Sequence, residues 1–206
     1  MSELTPLAIT ALALLREHSM HPYEMFQLMV QRHDDRLVKV RPGSLYHTVD
    51  RLARQGLVRA TGTERAGNRP ERTTYEITDS GRAALADRLA GLLGQRVEEY
   101  PLFPLALAEA HNIEADEVAR LLENRQLQSR ERLEQLRGGV RKLGAREVPE
   151  AYWIDVAFAI RMAEAELDWL DGLIDRLRSG DVAWDHHDVD WNPFDPDFTR
   201  LIKDTP

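Results

Sequence analysis

The sequence predicts a mainly α-helical protein in two parts, on three observations. Apolar residues recur at helical spacing along most of the chain. Two short β-branched runs lie close together between residues 57 and 77, and beyond Tyr100-Pro101 the pattern is helical throughout. With 206 residues the chain can build one substantial domain or two small ones, each with its own core. Apolar and charged shares of 43% and 30% are those of a globular protein with a well-charged surface.

The elements follow in order. Thr5 to Glu17 reads as the first helix, with Thr5 fit for the cap, Pro6 just inside, and Leu7, Thr10, Ala11, Leu14 and Leu15 on the buried face. His18 to His21 breaks it. Pro22 opens a second helix carrying Tyr23, Phe26 and Met29/Val30. The polar stretch Arg32–Arg36 leads to Arg41-Pro42-Gly43, and Ser44 is expected to cap a third helix. In that helix Leu45, Val49 and Leu52, with Ala53 alongside, share the core face. His47, Arg51 and Arg54 fall opposite, at about 180–240° on a wheel centred on Leu45. Gly56 stops it.

Leu57–Thr63 and Arg72–Ile77 alternate as strands, and the turn-rich Glu64-Arg-Ala-Gly-Asn-Arg-Pro between them makes a hairpin with a basic tip. Thr78-Asp79-Ser80 starts a fourth helix through Ala83, Leu85, Leu89 and Leu92/Leu93. Three helices, a hairpin and a helix is the order of a winged helix-turn-helix with a two-stranded wing, assigned to residues 1–100.

Residues 101–180 are expected to form an all-helical domain. A short segment, Leu102–His111, precedes a long helix at about 114–143, where Val118, Leu121, Leu122, Leu133, Leu136, Val140 and Leu143 form a stripe interrupted by Arg125 and Ser129. The next helix, about 149–178, has two apolar stripes. Trp153, Ala157, Ile160, Leu167, Leu170 and Ile174 make one; Ile154, Phe158, Met162, Trp169 and Leu173 make the other. A helix apolar on two sides must be covered on two sides, and a second copy of the chain is the simplest second cover, so this is read as a dimerisation domain. Residues 181–206 read as an irregular acidic tail, although Trp184, Trp191, Phe194 and Phe198 argue against full disorder.

The net charge of −8 hides a division. Residues 32–72 hold ten Arg/Lys against five acids, whereas residues 181–206 hold seven Asp against two bases. The absence of cysteine excludes disulfides and thiolate chemistry. No apolar run is long enough for a membrane span, and the N-terminus lacks a basic leader and a cleavage site, so a cytoplasmic protein is expected. His186-His187-Asp188, near Asp185 and Asp190, is a poor metal site because adjacent His residues do not readily converge on one ion. No phosphate-binding Gly loop, G-x-S-x-G or H-E-x-x-H occurs; neither a cofactor nor an enzyme activity is expected.

His21-Pro-Tyr-Glu, Arg41-Pro-Gly-Ser-Leu-Tyr46, Leu52 through Gly56-Leu57-Val58, and Tyr75-Glu-Ile-Thr-Asp-Ser-Gly81 together resemble the PadR-type transcriptional regulators. Phe103-Pro-Leu-Ala-Leu and Trp169-Leu-Asp extend the resemblance to the larger subgroup with an all-helical second domain, over about residues 5–178. The family usually has Gly where this chain has Pro22. The resemblance implies a dimeric DNA-binding repressor, with most of the dimer contact in the second domain and relief by a small molecule in some members.

On that footing the third helix enters the major groove of a double-stranded DNA operator. Ser44, Tyr46 and His47 reach phosphate or base edges, Arg51 is the guanine candidate, and Arg54 and Lys39 meet phosphates. Arg65, Asn68 and Arg69 at the wing tip fit phosphate or minor-groove contact. Trp153, Ile160, Leu167, Leu170 and Ile174 are the candidate dimer interface, and Trp153, Phe158, Met162 and Trp169 a candidate effector pocket. The competing reading is a protein-interaction dimer that does not bind DNA and uses its acidic tail on a basic partner.

Overall fold

Thr5 sets the start of the first helix. In the computed structural model its hydroxyl accepts from the Ala8 N–H, and α1 runs Pro6–Glu17, burying Leu7, Ala8, Ala11, Leu12, Leu14 and Leu15. The structure describes residues 3–64 and 72–184. The wing-tip residues Arg65, Asn68 and Arg69, the His186–Asp190 group, and Trp191, Phe194 and Phe198 lie outside the described residues.

α2 spans Pro22–Gln31 and α3 spans Pro42–Arg54. The proline at position 22 fits the first turn, and His21 caps the helix. Its Nδ1 accepts from the Tyr23 N–H while the Glu24 carboxylate accepts from the His21 N–H. Met25 and Met29 are the core residues of α2, whereas Tyr23 and Val30 are exposed. A bidentate pair, Arg32 to Glu17 at 2.5 and 2.8 Å, ties the end of α2 to α1.

β1 (Val58–Glu64) and β2 (Arg72–Ile77) pair antiparallel, with Val58 opposite Ile77 and a register shift between Ala60 and Gly62. Met20, in the break between α1 and α2, adds a bridge to Tyr75. Thr78 then caps α4 (Asp79–Gly94), accepting from the Gly81 N–H and donating to the Gly56 carbonyl. The buried residues of α4 are Gly81, Ala84 and Leu85; Ala83 faces solvent. A Cβ at Gly81 would lie 2.0 Å from the Leu57 carbonyl oxygen, so only glycine lets α4 approach the strand leading into the wing. One core joins α1, α2, α3, the strands and the first half of α4.

The chain divides into two compact units, residues 1–99 and 100–206. The second holds α5 (Leu102–Ala108), α6 (Ala115–Ala145) and α7 (Ile154–Ser179). α6 and α7 pack antiparallel. Their core combines Ala110, Val118, Ala119 and Leu122 with Leu170, Ile174 and Leu177, and Phe103 and Leu107 of α5 lie against it. Ion pairs run beside the seam: Arg125 to Glu166 at 2.7 Å, Arg130 to Asp171 at 3.1 Å, Arg137 to Glu164 at 2.9 Å, and Arg178 to Glu123 at 2.9 Å. Arg125, which broke the stripe of α6, also lies 3.5 Å over the Phe103 ring, whose edge meets Trp169. Trp184 closes this unit by donating its indole N–H to the Ile113 carbonyl at 2.7 Å.

Candidate nucleic-acid interface

Four residues bury α3: Leu45, Thr48, Val49 and Leu52. Thr48 satisfies its hydroxyl on the Ser44 carbonyl at 2.8 Å. Ser44 does not cap the helix, which begins two residues earlier because Pro42 already fits the first turn; Arg41 holds the cap position without a side-chain bond. Ser44 therefore stands on the first turn, exposed with Tyr46 and His47. The helix ends in a Schellman motif, with Gly56 at φ +70°, its N–H on Ala53 O and the Leu57 N–H on Leu52 O. That fold-back delivers Leu57 into the core and starts the wing.

The basic residues around this surface fall into two groups. Arg32 is neutralised by Glu17, whose carboxyl is held below its ordinary pKa by the guanidinium hydrogen bond, and Arg59 pairs with Glu76 across the strands. Arg51 and Arg54 instead meet uncharged oxygens: Arg51 donates to the Thr5 hydroxyl at 3.1 Å and Arg54 to the Asp50 carbonyl at 3.4 Å. Arg54 and Lys39 are exposed; Arg51 is half-buried. Tyr46 is braced by the His21 ring, edge to face at 5.7 Å. Burial, and secondarily the Asp50 charge, pushes the Tyr75 hydroxyl above its ordinary pKa, so it stays a neutral donor beside this surface.

In the second unit the two α7 stripes differ in burial. Leu167, Leu170 and Ile174 are buried within their own chain against α6, and Trp153 and Ile160 are half-buried on the same side. Leu167, Leu170 and Ile174 are thus covered within their own chain, whereas Trp153 and Ile160 stay partly open to a partner. The bare stripe is the other one: Ile154 is 64% exposed, Phe158 66%, Met162 54% and Trp169 48%. The four aromatic and sulfur side chains expected to line a pocket divide accordingly. Trp153 donates to the Val148 carbonyl at 3.1 Å, while Phe158, Met162 and Trp169 face outward. Among the described residues no group of three or more His, Cys, Asp or Glu side chains could hold a metal ion, and no helix is long and apolar enough to cross a membrane.

A three-helix core, a polar helix presented to solvent and a two-stranded wing define the winged helix-turn-helix class. Residues 11–87 match the model of the Transcriptional regulator PadR-like family, the family that the motifs of the first unit resemble. Bacillus subtilis PadR in complex with operator DNA has a similar fold, with a TM-score of 0.72 at 20% identity over 85% of this chain and 99% of that one. The same protein in complex with p-coumaric acid gives 0.70 at 19% over 84% and 98%. The Vibrio cholerae virulence activator AphA gives 0.61 at 15% over 84% and 99%. Likenesses at this identity bear on the fold, and they extend through both units. No curated protein matches the chain.

Proposed function

We propose that the protein is a sequence-specific DNA-binding transcriptional regulator, a cytoplasmic repressor that binds a roughly palindromic operator as a homodimer. The observation that carries this reading is the outer face of α3. It presents Ser44, Tyr46 and His47 at one end and Arg54 at the other, over an inner face of Leu45, Val49 and Leu52 with Thr48 bonded back to its own helix. Docked by its N-terminal turns in the major groove, that face sets the three polar side chains at base edges and Arg54 and Lys39 near phosphates. Arg65, Asn68 and Arg69 extend the contact along the wing.

Two copies joined through the bare stripe of α7 present two recognition helices, which calls for a two-fold operator with half-sites about one helical turn apart. Covering that stripe also encloses Phe158, Met162 and Trp169 in an apolar setting suited to a small aromatic effector. The neighbour bound to p-coumaric acid supports this part of the reading.

The test is a mobility-shift titration of the full chain on a duplex taken from upstream of its own gene, against a scrambled duplex of equal length. Preference for the upstream duplex is expected. Failure to shift either duplex would favour the protein-interaction reading.

A further inference from the structure

The basic side chains of the first unit are held in different ways, and the difference assigns a role to Thr5, the cap of α1, which lies outside the recognition helix. Arg32 and Arg59 are locked to carboxylates and have little charge left to offer. Arg51 is locked too, but to a hydroxyl. Thr5 Oγ1 accepts from Arg51 at 3.1 Å and from the Ala8 N–H at 3.4 Å. This tether restrains the guanidinium without neutralising it, and most of its five N–H donors stay available.

Position along the helix says what such a group meets. Arg51 lies nine residues after Pro42, about 13 Å along the axis at 1.5 Å per residue. The major groove is only about 12 Å wide. A helix docked by its N-terminal turns therefore carries Arg51 to the groove wall, where the phosphates are, and the tether to α1 draws it further from the base edges.

Resting on the DNA-binding reading, we propose that Thr5 is a positioning residue that holds Arg51 as a phosphate clamp, so that Arg51 sets the docking of α3 and does not read a guanine. A guanidinium held in place loses less rotamer freedom on meeting a phosphate than one swinging in water. The cap of α1 and the anchor for the DNA backbone are then one hydroxyl.

The test compares Arg51→Ala, Thr5→Val, Thr5→Ser and Thr5→Asp in the full chain. Each is titrated across a salt series on the upstream duplex and on its scrambled counterpart. Each lost phosphate contact is worth about ten-fold in affinity near 0.1 M salt and about one in the log–log salt slope, so a dimer that loses one contact per subunit should lose about a hundred-fold and about two in slope. Arg51→Ala is expected to weaken both duplexes by the same factor. Thr5→Val should follow it in direction, with Thr5→Ser close to the parent. Thr5→Asp keeps a strong cap, so the protein stays folded, but it neutralises Arg51 and should weaken both duplexes. A loss confined to the upstream duplex in Arg51→Ala would make Arg51 a base reader and overturn the proposal. So would unchanged affinity and slope in Thr5→Asp. Failure of the parent chain to bind either duplex would overturn the DNA-binding reading itself, a separate outcome.

Discussion

α3 and α7 each bury one stripe and leave another bare, yet the bare faces make opposite demands. That of α3 carries Ser44, Tyr46, His47 and Arg54; that of α7 carries Ile154, Phe158, Met162 and Trp169. A polar face is already satisfied by water, so its partner can come and go with salt and sequence. An apolar face carries a penalty of about 25 cal/mol per Å² until something covers it. The first kind of surface suits a reversible contact with a polyanion, and the second suits a permanent one with another copy of the chain.

The largest expected effect separates the two stripes of α7. Leu170 is fully buried, so Leu170→Ala should cost about 2–5 kcal/mol, read as a lowered midpoint in denaturant unfolding. Phe158→Asp combined with Met162→Asp should leave the α6–α7 pair folded, because both positions face outward, and should abolish the dimer through two carboxylates that cannot be buried unpaired. Sedimentation of the double variant decides this: a dimer that survives both aspartates would take the bare stripe out of the interface.

Next in size is the joint that aims α3 and the wing. Gly81→Ala drives a methyl group into the Leu57 carbonyl and the Ile77 side chain, both fixed by the core. A loss of about 1–3 kcal/mol is expected from such overpacking. Thermal unfolding measures it, and an unchanged midpoint would show that α4 can retreat from the strand at no cost.

These joints also show how far the residues alone could lead. Gly56 and Thr78 announce themselves through a break and a cap, and the elements of the first unit lie close to their expected bounds, except that α3 is capped at Arg41, three residues before the expected Ser44. Contacts between elements distant in sequence were not legible. Met20 reads as part of a break, yet it bridges to Tyr75; Arg51 reads as an outward side chain, yet it reaches Thr5. The difference in burial between the α7 stripes has a similar cause. Periodicity finds both stripes but not which one α6 takes. A signal was present in the charges: Glu164, Glu166 and Asp171 match Arg137, Arg125 and Arg130 of α6, and that pairing picks out the covered side.

The contact proposed for α3 should carry a strong salt dependence. If each subunit engages three to five phosphates through residues such as Lys39, Arg51, Arg54, Arg65 and Arg69, log K should fall against log salt with a slope of about −5 to −9. Removing residues 181–206, with their seven Asp and two bases, should raise affinity mainly at low salt, where repulsion reaches furthest, without changing which sequence is preferred. A slope shallower than about −2 would leave too few phosphates engaged for the proposed interface.

The smallest effect belongs to the ion pair behind that interface. The hydrogen bond from Arg32 holds the Glu17 carboxyl below its ordinary pKa, against a smaller opposing push from burial. A carboxyl depressed in the folded state binds fewer protons there than in the unfolded chain, so its stabilisation is complete above the unfolded value of about 4.3 and fades as pH falls through the lower folded value. Arg32, whose pKa is raised by the same bond, would lose its share only in strong alkali. Both side chains are more than two-fifths exposed, at 43% and 44%, so water screens the pair and its worth is at most about 1 kcal/mol. Glu17→Gln should therefore lower stability slightly at neutral pH, and the gap to the parent should close below about pH 4 and in about 1 M salt. Denaturant unfolding of both proteins across that range measures it. A gap that persists in acid would mean that Glu17 acts through packing between α1 and α2 rather than through its charge.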